Sequence, residues 1–257
     1  MAKQKIEVGS RPADPKYKIK VVEKGPYLVY GQPPLALQFI MPNELGESWF
    51  FQEGRAFSTE AEPTSLCRCG ASHNKPYCDG THTHTEWDSR LTADTAGLLD
   101  NIEITSGEVI SITDNSQYCA FARFCDASRG VWNLTRDSED LISRRLAIRQ
   151  AKMCPSGRLL AWDNASDMPY EPDYKPSLGL LEDISIGSSG GLWVKGGIRI
   201  VRGSDGRGYE IRNRSVLCRC GQSSNKPYCD GTHVSARWRD ELEGQPEGAT
   251  IPRKVFK

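Results

Sequence analysis

The 257-residue chain sets 33 Lys plus Arg against 33 Asp plus Glu, with 38% apolar and 26% charged residues, a globular composition with room for one large domain or two to three small ones. A formal net charge of zero gives no summed field to draw the chain to nucleic acid or an anionic membrane. The start, "MAKQKIEVGSRP", lacks a secretory core, and no apolar run approaches the roughly 20 residues of a membrane span. The expectation is therefore a soluble, cytoplasmic protein.

The elements follow in order. "YKIKVV" and the glycine-bounded "GPYLVYG", Gly25 to Gly31, predict two strands joined by a tight turn. "PNELGE" reads as a longer turn. "CRCGASHNKPYCDGTH" then runs from Cys67 to His82, with Trp87 five positions beyond. "NIEITSGEVISITDN" predicts a hairpin around Ser106-Gly107, and residues 131–134 a short strand. "RDSEDLISRRLAIRQAKM" places Leu141, Ile142, Leu146 and Ile148 at helical spacing, with Asp137 or Ser138 as cap. A short strand is expected over 159–162, and the Pro-rich, polar "NASDMPYEPDYKPS" reads as a linker.

The opening pattern then returns. "LEDISI" and "GGLWVKG", Gly190 to Gly196, repeat the paired strands, and "CRCGQSSNKPYCDGTH" runs from Cys218 to His233, with Trp238 again five positions beyond. The tail after Asp240 is polar and reads as loosely held. An internal repeat around a different middle divides the chain at 1–92, 93–168 and 169–257.

Nine cysteines fall into three groups of three, a clustering that suits metal ligation in a reducing compartment better than a disulfide framework. Each copy offers three thiols and one imidazole: Cys67, Cys69, Cys78 and His82, then Cys218, Cys220, Cys229 and His233. Zinc in a closed tetrahedral site and a 2Fe-2S cluster with two ligands on each iron both fit this set. Cys-x-Cys is narrower than the usual zinc spacing, which favours the cluster. The duplication selects among the histidines, because His84 aligns with Ser235 and His73 with Ser224. Gly80 and Gly231 stand where the chain must turn sharply between ligands. Lys75 and Lys226 put positive charge beside the site, Asp79 and Asp230 suit capping of following amides, and Ser72 and Ser223 can donate to sulfur.

"KPYCDGTH" resembles the signature of the CDGSH iron-sulfur domain family, with Thr81 in the place of its usual serine. The resemblance covers the eight candidate ligands with Ser72, Pro76, Asp79 and Gly80, and Ser223, Pro227, Asp230 and Gly231 in the second copy. It implies a 2Fe-2S cluster held by three Cys and one His in each copy. It also implies two modules joined through a β-sandwich, a pair that this chain can make internally as a monomer. Histidine in place of a thiolate removes about one negative charge, which raises the potential relative to an all-cysteine cluster, and imidazole can titrate.

Cys119 and Cys125, a helix and then Cys154-Pro155 resemble a small single-cluster ferredoxin, especially the divergent domain ending in "CPSGAL"; "CPSGRL" departs at Arg158. A four-iron cluster would call for another cysteine where Ala122 stands, so three thiolates fit a 3Fe-4S cluster. A metal-free domain with buried cysteines is the plainer alternative.

The expected fold class is α+β and β-rich, with two cluster-binding modules as a β-sandwich pseudo-dimer flanking a small ferredoxin-like domain. No nucleophile-base constellation or phosphate-cradling glycine loop argues for an enzyme. Electron transfer to an unidentified redox partner is expected. Cluster donation to an apo-protein acceptor, redox or pH sensing, and a zinc-stabilised interaction module are the alternatives.

Overall fold

A computed structural model describes residues 13–242, so the expected loose tail lies outside the described residues beyond Leu242. Among the described residues the strands form three sheets. The first copy gives β1 (Lys18–Val21), β2 (Tyr27–Tyr30), β3 (Leu35–Pro42), β4 (Ser48–Phe57) and β5 (Thr64–Leu66). The second gives β10 (Ser177–Asp183), β11 (Ser188–Lys195), β12 (Arg199–Arg202) and β13 (Arg214–Leu217). Both expected hairpins form, β1 with β2 and β10 with β11. The strand read as "LEDISI" lies earlier, because Asp183 Oδ1 accepts the Ser185 N–H at 3.1 Å and turns the chain there.

The copies exchange strands. β12 leaves the second copy to pair parallel with β1, and β3 leaves the first to pair parallel with β10. The resulting sheets are ordered β12-β1-β2-β5 and β13-β11-β10-β3-β4. They bury one apolar core drawn from both copies, including Ile19, Tyr27, Leu37, Leu180 and Leu217. "PNELGE" is the β3–β4 turn, where Asn43 Oδ1 accepts from Leu45 and Glu47 N–H at 3.0 and 2.9 Å.

The third sheet, β6 (Glu103–Ser106), β7 (Ile110–Asp114), β8 (Leu159–Asp163) and β9 (Met168–Pro169), belongs to the middle segment. Residues expected as a strand at 131–134 instead begin α1 (Val131–Arg136). Gly130 accepts the Leu134 N–H at 3.0 Å, and Val131 is fully buried with Leu134, Ala147 and Ile110. Packing thus overrides a β-branched preference. In α2 (Leu141–Met153) the cap is Asp140, whose carboxylate accepts the Ser143 N–H at 2.7 Å. Ser138 is taken up elsewhere, accepting the Val109 N–H at 3.1 Å, and Asp137 pairs with Arg129 at 2.6 Å. The buried face of α2 is Ser143, Ala147, Gln150 and Ala151, while Leu141 and Ile142 are exposed.

A buried arginine helps fasten this segment to the second copy. Arg214, buried at the start of β13, donates to the Ala151 and Lys152 carbonyls at the end of α2 and to the Cys154 carbonyl at 2.6 Å. Its charge is matched by buried Glu171, as a buried guanidinium requires.

Candidate metal centres

The two copies build the same local architecture. β5 and β13 run directly into Cys67 and Cys218, so the Cys-x-Cys pairs are the ends of core strands. Cys67 and Cys69 bring their Sγ atoms to 3.8 Å, and Cys218 and Cys220 to 3.7 Å. The intervening arginines leave the thiols and reach the other way. Arg68 donates to the Gly25 carbonyl at 2.9 Å and lies over Trp87 at 4.5 Å; Arg219 donates to the Gly190 carbonyl at 3.0 Å and lies over Trp238 at 5.3 Å. The tryptophans five positions beyond each histidine thus lock the arginines by cation–π contact, a role the sequence hides because the partners are far apart.

After the cysteine pair the chain loops back. The Ser72 and Ser223 hydroxyls donate to the Tyr77 and Tyr228 carbonyls at 2.6 and 2.7 Å. The serines serve sulfur through their backbone N–H groups instead, Ser72 on Cys67 and Ser223 on Cys218, and the Ala71 N–H reaches Cys69 Sγ at 3.5 Å. Asp79 caps as expected, accepting from Thr81 and His73 N–H at 3.0 and 2.8 Å, and Asp230 does the same for Thr232 and Ser224 at 3.0 and 2.8 Å. Gly80 and Gly231, at φ 88° and 87°, adopt the left-handed turn that a side chain would strain. A short helical turn then carries each histidine: Thr81–Thr83 for His82, and α3 (Thr232–Ser235) for His233. His82 Nδ1 stands 3.3 Å from Cys78 Sγ, and His233 Nδ1 3.4 Å from Cys229 Sγ.

The donors therefore come as two close pairs in each copy. Among the described residues no three His, Cys, Asp or Glu side chains are gathered where a single ion could take them all. Within the first pair, the hydrogen bond from Cys69 pushes the Cys67 thiol down to about 6 against its burial, with backbone amides and Lys75 assisting. In the second copy Cys220 is the main cause holding Cys218 at about 6, and Lys226 contributes. Burial pushes Cys78 and Cys229 up. His84 is exposed, and His73 lies 3.5 Å from Asp79 at the surface.

The sites differ in cover. Cys229 and His233 are buried, whereas Cys78 and His82 are half-buried. The Cys-x-Cys turns meet back to back: a Cβ on Gly70 would lie 2.6 Å from the Cys220 carbonyl oxygen, and one on Gly221 2.3 Å from that of Cys69.

Cys119, Cys125 and Cys154 line one small cavity with Ala122 and Arg158. The loop between the first two is wound by Phe121 and Arg123 at φ 55° and 60°, a left-handed conformation uncommon for such residues and typical of functional turns. Burial pushes the Cys125 thiol up. Arg158 is held above its ordinary value: burial pulls it down, but Cys119, Asp114, Cys154 and Cys125 outweigh that, and Asp114 pairs with it at 2.9 Å. The departure from "CPSGAL" thus puts a cation beside three thiols.

The iron-binding zinc finger CDGSH-type family model matches residues 24–83 and 189–234, and a divergent 4Fe-4S mono-cluster model matches residues 105–164 between them. No curated protein and no solved structure matches the chain. Two CDGSH-type segments flanking a middle mono-cluster domain make this an iron-sulfur protein.

Proposed function

We propose that this chain, a tandem CDGSH-type protein with a mono-cluster domain between its copies, is an electron carrier rather than an enzyme. On this reading it holds a 2Fe-2S cluster on Cys67, Cys69, Cys78 and His82 and a second on Cys218, Cys220, Cys229 and His233. The observation that carries it is the pairing of donors, Cys with Cys at 3.8 Å and Cys with His at 3.3 Å in the first copy. A two-iron cluster asks for two ligands on each iron, whereas one zinc ion asks for four around a point. When bound, such a cluster supplies a one-electron couple. The chain's own part is to hold the Cys67 and Cys218 thiols at a lowered pKa, to keep backbone N–H groups on sulfur and to place imidazole Nδ1 as the fourth ligand. The three thiols lining the middle cavity suit a 3Fe-4S cluster, with Ala122 on the cavity wall where a fourth ligand is missing.

Iron, acid-labile sulfide and zinc per chain, measured on protein purified without oxygen, test this. About four irons with four sulfides fit the two repeated sites, about seven with eight add the middle one, and zinc without sulfide returns the chain to an interaction module. Donation to an apo-protein acceptor is the second reading, favoured by the half-buried Cys78–His82 edge of the first site. Incubation of the oxidised protein with an apo-ferredoxin separates the two, since a carrier keeps its iron.

A further inference from the structure

The two repeated sites have the same donors and different neighbours. At Gly80, next to His82, an added Cβ would meet nothing within 4 Å; at Gly231, next to His233, it would lie 3.2 Å from the Cys119 carbonyl oxygen and 3.3 Å from Phe121 Cβ. The body covering the second site is the cysteine loop of the middle domain. Ala120 shares an apolar cluster with Cys229, Trp193 and Val216, and Asn225 donates to the Gln117 carbonyl at 2.9 Å. Arg123 is paired with Asp183 of β10 at 2.6 Å.

A second contact joins the same two sites by another route. Arg214, four residues before Cys218, donates to the Cys154 carbonyl at 2.6 Å. The middle domain also touches the first copy, but at the β3–β4 hairpin, where Ser128 N–H donates to Glu47 at 3.0 Å and Arg149 donates to the Trp49 carbonyl. Those contacts lie on the β3–β4 turn and on β4, not on the Cys67–His82 loop.

We propose that the middle domain is a resident electron partner of the second site alone, so that the first site exchanges with the middle one only by way of the second, across the Gly70–Gly221 contact. This rests on the reading above that all three sites hold clusters. The step is the passage of one electron from a reduced site to an oxidised neighbour, with no bond made or broken; the first electron comes from an added reductant such as dithionite.

The test uses the full chain, with iron and sulfide counted first. About four irons would remove the three-cluster premise on which the proposal rests, whereas about seven leave the order of exchange to be decided. Paramagnetic resonance during stepwise dithionite reduction then reads magnetic interaction between sites, and His82→Cys and His233→Cys, each altering one repeated site, assign the signals. The expected result is that the middle signal splits or broadens with the redox state of the second site and ignores that of the first.

Gly80→Ala and Gly231→Ala form a matched pair, since both residues sit near φ +87° and only at the second would the added methyl press on the middle loop, 3.2 Å from the Cys119 carbonyl oxygen. The interaction should weaken at least twofold in Gly231→Ala and stay unchanged in Gly80→Ala. If Gly231→Ala fails to retain its cluster, Phe121→Ala, which thins the same cover, takes its place. A middle signal that follows the first site, that follows neither, or that responds equally to both glycine variants overturns the proposal.

Discussion

Arg219 serves two carboxyls at once, Asp240 at 2.6 Å and Glu182 at 3.0 Å. One cation cannot keep both ionised in a buried place. Asp240 is held below the usual range despite its burial, while burial pushes Glu182 up to about 8 against the pull of Arg219, with Asp240 adding to the rise. A carboxyl raised in the folded state favours folding most below its unfolded pKa and loses that advantage as pH rises to its folded value. The metal-free chain should therefore lose stability between about pH 4.5 and 8 through this residue. Glu182→Gln should flatten that part of a denaturant-midpoint profile, and an unchanged slope would refute the assignment. Arg158 gives a second prediction. If the middle cavity holds a cluster, Arg158→Gln, which removes a positive charge beside its thiols, should lower that site's potential by on the order of 60 mV, tenfold in a one-electron equilibrium. The repeated sites should keep theirs in the same redox titration. That the eight candidate donors come close in pairs was legible in the sequence, because the members of each pair lie two or four positions apart. The true partners of Ser72 and Arg68 were not, since a hydroxyl or guanidinium finds several acceptors and only the folded loop selects one.

Elements were legible where their pattern is local. The hairpin around Ser106-Gly107 and the existence of α2 follow from alternation and helical spacing, whereas the face of α2 does not. Its apolar Leu141 and Ile142 point to solvent, at 46% and 69% exposure, while Ala147 and Ala151 are fully buried in the cluster that holds Val131 and Leu134 of α1. The cap also moved, from Asp137 or Ser138 to Asp140, since β7 had already claimed Ser138. Asp140→Ala should accordingly cost stability, read as a downward shift in the chemical-denaturation midpoint. Asp137→Ala, whose ion pair is exposed, should cost roughly half of that or less. Equal losses would return the cap to the earlier residue.

At the scale of the whole molecule, the repeat announced two modules but not that they trade strands. Nothing local says that β12 will lie beside β1 rather than in its own sheet; the pairing depends on which partner closes a sheet edge. Residues 1–92 expressed alone should then supply a second β3 where β12 is missing and sediment as a dimer. A folded monomer of that segment would show that the exchange is dispensable. The back-to-back turns carry a further consequence. Gly70 rests against the backbone of Cys220, and Gly221 against that of Cys69, so the room at each turn is set by the other copy. A duplicated gene normally frees one copy to drift, but here neither turn can gain even a methyl group unless its twin gives way. At these two turns, the copies are bound to change together or not at all.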